Sequence, residues 1–91
     1  MYQIKAYHKQ QAKRLGVTIK PSTRKNKKID VFKDNKKVAS IGDTRYNDFI
    51  SYKESRGLKY AEERRRLYRI RHGRFANNKG TPGYYAYNIL W

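Results

Sequence analysis

A chain of 91 residues sets one small domain as the ceiling, and 37% hydrophobic residues leave it only a small core. Its 23 Lys and Arg stand against seven Asp and Glu, a net charge of +16 that a merely soluble surface does not need, and 14% aromatic content is too rich for a disordered basic tail. There is no cysteine, which removes disulfides, thiolate catalysis and Cys-based zinc sites, and no stretch has the apolar length of a signal peptide or membrane-spanning helix. A folded domain is therefore expected, its core built on a few large aromatic side chains. It is expected to stay soluble inside a cell or a particle and not to be secreted. Self-repulsion at this charge density is relieved by a partner with fixed negative charge, nucleic acid first, then an acidic protein surface.

In chain order, residues 2–6 read as a short strand, followed by a short basic helix that Gly16 would end with a left-handed residue. Residues 17–20 are β-prone and stop at Pro21. The segment 20–28 is polar, basic and turn-rich, and reads as a mobile loop carrying Arg24, Lys25, Lys27 and Lys28. Residues 28–33 and 36–41 form the clearest hairpin signal, joined by Asp34-Asn35, two residues that tolerate the left-handed conformation of a tight turn. Gly42-Asp43 ends the second strand. Residues 47–55 suit a short helix capped by Asn47 and stopped near Gly57. Residues 58–72 are the longest helix candidate, with Glu62 and Glu63 early and Arg and His late, as the macrodipole prefers. A loop over 75–80 leads to Thr81-Pro82, an N-cap with proline at the first helical position. Residues 83–91 (GYYAYNILW) are the most apolar part of the chain and are expected to dock, closing the core with Trp91.

On a 100° wheel the long helix gathers Tyr60, Leu67 and Ile70 in one arc with Ala61 and Tyr68 on its flank. Arg65, Arg66 and Arg69 fall opposite, a ridge of guanidinium groups suited to phosphate, partly balanced by Glu62 pairing to Arg66. Arg74 follows just beyond the helix end. Arg64 and Arg71 fall inside the apolar arc, where each must reach out of the core, pair with a carboxylate or the C-terminus, or stack on a tyrosine. Whether these two are structural or ligand-contacting stays open on the sequence. The lysines of the 24–28 loop add softer, sequence-blind attraction. No zinc-finger or RNA-recognition signature is present, so recognition of backbone and shape is expected.

Enzyme readings fare poorly. Arg71, His72 and Arg74 with Tyr84 or Tyr85 are the residue types of a tyrosine recombinase, but the chain is too short for that scaffold. The Gly-Tyr-Tyr run closes the chain, whereas a GIY-YIG nuclease opens with its motif. Asp30 and Asp43 lack the Glu-x-Lys partner of a metal nuclease, and His8 and His72 are too few for a metal site. No catalytic residue, metal or cofactor is expected.

Three segments together, 29–43 (IDVFKDNKKVASIGD), 60–72 (YAEERRRLYRIRH) and 80–91 (GTPGYYAYNILW), resemble a family of small, basic, largely uncharacterised proteins encoded by large DNA viruses of algae and protists. A similar arrangement occurs in some tailed phages. The pattern falls on Gly42, Asp43, Arg64, Arg65, Tyr68, Arg71, His72, Tyr84, Tyr85 and Trp91. What the resemblance implies is a viral origin and association with a virion or genome, located in the particle or inside the infected cell, without a mechanism. Some phage relatives carry cysteines near these motifs; this chain has none, so a metal role there does not transfer.

The expected architecture is α+β: a small antiparallel sheet built on the hairpin, packed by the long helix, with the aromatic C-terminal segment folded back. The expected function is non-enzymatic nucleic-acid binding, DNA ahead of RNA. The alternative is a small cement-type protein between capsid subunits, its exposed aromatics and C-terminal segment making the contact. No helix shows the clean basic-amphipathic pattern that a membrane surface needs.

Overall fold

A computed structural model describes residues 2–91. Helix α1 (Ala6–Arg14) leads into strand β1 (Thr18–Pro21), then β2 (Lys27–Lys33) and β3 (Lys36–Asp43). Helices α2 (Phe49–Arg56) and α3 (Leu58–His72) follow, and a short turn of 3-10 helix (Gly73–Phe75) leads to α4 (Pro82–Tyr85) and a wide π-type turn (Ala86–Leu90). The sheet is antiparallel in the order β1-β2-β3, so the fold is α+β as expected.

The hairpin forms where the turn chemistry placed it. Asp34 and Asn35 have φ of 52° and 64°, the paired positive values of a tight two-residue turn. Ile29 and Val31 of β2 meet Ile41 and Ala39 of β3, and all four are buried. An irregularity beside Val31 and Phe32 leaves Val38 without a partner and outside the core. At the far end of β3, Gly42 has φ of 78°, and a Cβ there would lie 2.9 Å from Leu90 Cδ1 and 3.0 Å from Lys28 Cδ. Only glycine lets strand and C-terminal segment approach so closely.

The N-terminal segment departs from expectation. Tyr2 to Lys5 form no strand; the helix begins at Ala6, because His8 accepts the Lys5 N–H through Nδ1 at 3.1 Å, the part a Glu takes in a capping box. Gly16, at φ of 73°, lies just beyond its end. The 20–28 segment is less of a loop than it reads, since β1 runs to Pro21 and β2 starts at Lys27. The residues between are tied down by Asp30, which accepts from Ser22 Oγ at 2.6 Å and from the Thr23 N–H. Helix α2 is capped one residue later than expected: Asp48, not Asn47, accepts from the Ser51 N–H at 3.0 Å.

Helix α3 keeps its expected limits but turns a different face inward. Ala61 is its one fully buried residue, and Arg64, Arg65, Tyr68 and His72 line the packed side. Tyr60, Leu67 and Ile70 point outward, with 40%, 38% and 67% exposure. Tyrosine, histidine and guanidinium groups are planar and pack well on rings, so a hydropathy wheel misplaces the buried arc.

Thr81 caps α4 through the Tyr84 N–H, with Pro82 at its first position. The C-terminal segment docks as expected: Tyr85, Ile89, Leu90 and Trp91 all belong to the core. Gln11 Nε2 ties α1 to it by donating to the Asn88 carbonyl at 2.9 Å. Among the described residues, no helix is long and apolar enough to cross a membrane.

Candidate functional site

The C-terminal docking builds an aromatic stack beside the sheet. Tyr68 lies between Trp91 (4.5 Å between centroids, planes 11° apart) and His72 (4.2 Å, 24°). His72 Nδ1 is 3.1 Å from the Tyr68 carbonyl, which holds the imidazole in the stack. Tyr52 approaches Trp91 with its ring tilted, 6.1 Å between centroids, and the Arg64 guanidinium lies 5.3 Å from the Tyr52 ring centroid. Burial raises the Tyr68 phenol above its usual range.

Around this stack opens a cleft of about 590 Å³, within the size range of ligand sites. Its lining includes Lys27, Gly42, Asp43, Tyr46, Arg64, Tyr68, Arg71, His72 and Trp91. Seven of the ten positions that carried the sequence resemblance thus meet in one place; Arg65, Tyr84 and Tyr85 lie elsewhere. The two side-chain carboxylates on the lining are already paired. Asp43 accepts a two-pronged contact from Arg45, whose side-chain and backbone hydrogen bonds hold the carboxyl down to about 2. Asp48 pairs with Lys28 at 3.2 Å. Lys27, Arg64 and Arg71 have no carboxylate within 4.0 Å among the described residues, so the lining carries a surplus of positive charge.

A second, more open cleft of about 460 Å³ is lined by Arg24, Asn26, Lys27, Thr44, Tyr46, Asn47 and other polar residues, with no carboxylate among them. The two clefts share Lys27, Lys28, Tyr46 and Asn47. Tyr46 is 68% exposed and stands at their junction. No sequence signal singled it out.

Several expected contact residues are placed differently. Lys28 is 4% exposed and committed to Asp48, because it lies inside the buried strand β2 and does not belong to the loop. Arg65 is half-buried, its guanidinium 3.5 Å from the Phe49 ring centroid and donating to Tyr7 Oη at 3.3 Å, so it is not part of a solvent ridge. Its Nε is buried without a hydrogen-bond partner among the described residues. Arg66 is exposed but pairs with Glu63, three residues back, and not with Glu62. Arg69 donates to the Trp91 carbonyl at 3.0 Å, a main-chain contact that had been open to Arg64 and Arg71. Arg65, Arg66 and Arg69 do lie together, with Glu62 and Ile70, around a shallow groove away from the stack. Arg74 lies 4.8 Å from the Phe75 ring and lines none of these clefts. Lys25 is exposed in the Ser22–Asn26 turn. Arg71 is exposed at the main cleft, whereas Arg64 is half-buried and both packs and lines it.

Beneath both clefts is a buried polar cluster that sequence reading did not assemble. Tyr2 Oη donates to Asp48 Oδ2, the atom that also receives Lys28 Nζ, and Ser51 donates to Asp48 Oδ1 through both N–H and Oγ. The His8 Nε2 is 3.5 Å from Tyr2 Oη. Burial by itself raises the Asp48 carboxyl, but the Tyr2 hydrogen bond, the Lys28 charge and the Ser51 hydrogen bonds outweigh it and hold the group below the usual range. Burial, reinforced by Asp48, pushes the Tyr2 phenol up, and burial lowers His8. The cluster is a scaffold that joins the N-terminal segment, β2 and α2. No group of three or more His, Asp or Glu among the described residues is arranged to hold a metal ion.

These features define a small basic α+β protein with an aromatic-lined cationic groove. The profile of a family of unknown function (DUF5754) matches residues 17–72, from the turn before β1 to the end of α3, and the chain belongs to that family. Trp91, which completes the stack, lies outside the matched stretch. No curated protein and no solved structure matches the chain.

Proposed function

We propose that this protein binds nucleic acid, DNA ahead of RNA, through the phosphate backbone and without catalysing a reaction on it. The observation that carries the reading is the junction of the two clefts at Lys27 and Tyr46. It joins cations of the 24–27 segment to those of α3 in one groove whose side-chain carboxylates, Asp43 and Asp48, are both paired. A viral genome or particle as its setting rests on the sequence resemblance alone. If Arg24, Lys27, Arg64 and Arg71 each neutralise one phosphate, binding should fall with salt at a log–log slope of about −3.6 on duplex DNA or about −2.8 on a single strand. Lys27→Ala and Arg71→Ala should each flatten that slope by about one, while Arg66→Ala, already paired with Glu63, should leave it unchanged. A salt-titrated binding assay checks both; a flat dependence, or no binding at low salt, overturns the reading.

A second reading, a small structural protein seated between capsid subunits, is favoured by the outward face of α3. Leu67 and Ile70 stand exposed there among Lys59, Arg66, Arg69 and Arg71, with Glu62 and Glu63 on the same face, an apolar strip with a mixed but net basic rim that fits an acidic-edged protein surface. Residues 89–91 are buried, so any contact from the C-terminal segment would fall to its half-buried residues such as Tyr84 and Tyr87. Under this reading Ile70→Glu should abolish co-purification with the capsid while leaving the thermal midpoint within a few degrees of wild type. Unchanged co-purification excludes this surface.

A further inference from the structure

We infer that the groove takes an unpaired strand of nucleic acid and that one base lies on the Tyr46 ring where the two clefts meet. This rests on the nucleic-acid reading above and names the form of the partner.

The ring is placed for such a role. Tyr46 is the most exposed aromatic residue among those described, yet its loop is well anchored. The Tyr46 N–H donates to the Asp43 carbonyl at 3.0 Å, and the Thr44 N–H to the Asn26 carbonyl at 3.1 Å. The Arg45 fork on Asp43 closes the same turn, with its guanidinium 5.8 Å from the Tyr46 ring centroid. A loop backbone held this way in the free protein loses little conformational freedom when a ligand lands on the ring it carries. Cations line the clefts that meet at it, Arg24 in one, Arg64 and Arg71 in the other and Lys27 in both. Charge that follows a backbone, interrupted by a ring that faces the bases, is the arrangement that grips single strands.

Duplex suits this surface poorly. A paired base is stacked above and below, so it has no face to offer Tyr46. The cations line concave clefts, where a rigid rod makes fewer contacts than a strand that can bend inward. Docking of α3 in a major groove is disfavoured as well: on its exposed face Glu62, Glu63, Leu67 and Ile70 interrupt the cations Lys59, Arg69 and Arg71, and Arg66 is paired with Glu63.

The test compares a labelled oligothymidylate with a duplex of equal length on the full chain, at several salt concentrations. The expected results are tighter binding of the single strand and a loss of about tenfold for Tyr46→Ala at every salt concentration, with the salt slope unchanged. Tyr46→Phe keeps the ring and should bind like wild type. Fluorescence of Trp91, the one tryptophan, should respond to the oligothymidylate because it lines the adjoining cleft. Because Tyr46 is exposed, circular dichroism should find Tyr46→Ala folded, so a loss of affinity is not a loss of structure. Duplex binding as tight as the single strand, or Tyr46→Ala equal to wild type, overturns the inference and leaves the nucleic-acid reading standing. Failure of both probes to bind at low salt overturns the two together.

Discussion

Replacing Lys28 with Ala is expected to lower the unfolding free energy by roughly 3–5 kcal/mol, because it leaves a buried carboxylate without its counter-charge. Lys28 is 4% exposed and Asp48 1%, and Asp48 is also the N-cap of α2 and the anchor of Tyr2. A loss of this size is a large share of the stability of a small domain, so urea unfolding followed by circular dichroism should show a much lower midpoint. Neutralising both partners, Lys28→Met with Asp48→Asn, should recover a good part of it, since the desolvation of two charges disappears along with their attraction. If Lys28→Ala unfolds like wild type, the pair is not what holds α2 to the sheet.

The same cluster sets the acid response. Asp48 titrates below its unfolded value, so its contribution is full above about pH 4 and is lost as pH falls through the depressed folded value. His8 is also lowered, burial being the main cause, with Lys28 and Lys5 acting in the same direction and Asp48 and Glu54 opposing. Below about pH 6.5 the unfolded imidazole takes up a proton that the folded one refuses, so stability declines from there downward. Thermal midpoints measured against pH should fall in two stages, and His8→Gln should remove the upper one.

Trp91→Ala is the second large change, expected to lose about 3–5 kcal/mol, as for other buried aromatic truncations. Trp91 is 8% exposed, stacks on Tyr68, approaches Tyr52 and offers its carbonyl to Arg69. Trp91→Phe retains a ring on Tyr68 and should lose much less. Removal of residues 84–91 takes Tyr85, Ile89, Leu90 and Trp91 out of the core at once, and the truncated chain should show no cooperative thermal transition. A folded truncation product would mean that the C-terminal segment is an accessory, free to bind a partner.

The features legible in the sequence were those written in local chemistry. Asp34-Asn35 could only be a left-handed turn between two β-prone runs, and that defined the hairpin. Thr81-Pro82 marked the start of α4, and glycine at both ends delimited α3. The apolar run ending in Trp91 was too costly to leave in water. Of the site, the motif positions Gly42, Asp43, Arg64, Tyr68, Arg71, His72 and Trp91 were picked out one by one, without any sign that they share a cleft.

What only the tertiary structure decided was which cations are spent on the fold and which are left for a partner. Lys28 and Arg65 look like any other basic residue in the sequence, but the first meets a carboxylate 20 residues away and the second a tyrosine 58 residues away. A guanidinium counts as polar on every hydropathy scale and yet packs flat against Phe49, so the helical wheel turned α3 toward its outward strip of Tyr60, Leu67 and Ile70. Tyr46 gained its place only when the ends of β2 and β3 brought its loop between the two basic clefts. The net charge of +16 and the elements that carry it follow from residue identity and short-range turn and cap preferences. Pairing, burial and the sharing of a cleft depend on contacts between distant parts of the chain, which close only when the core does.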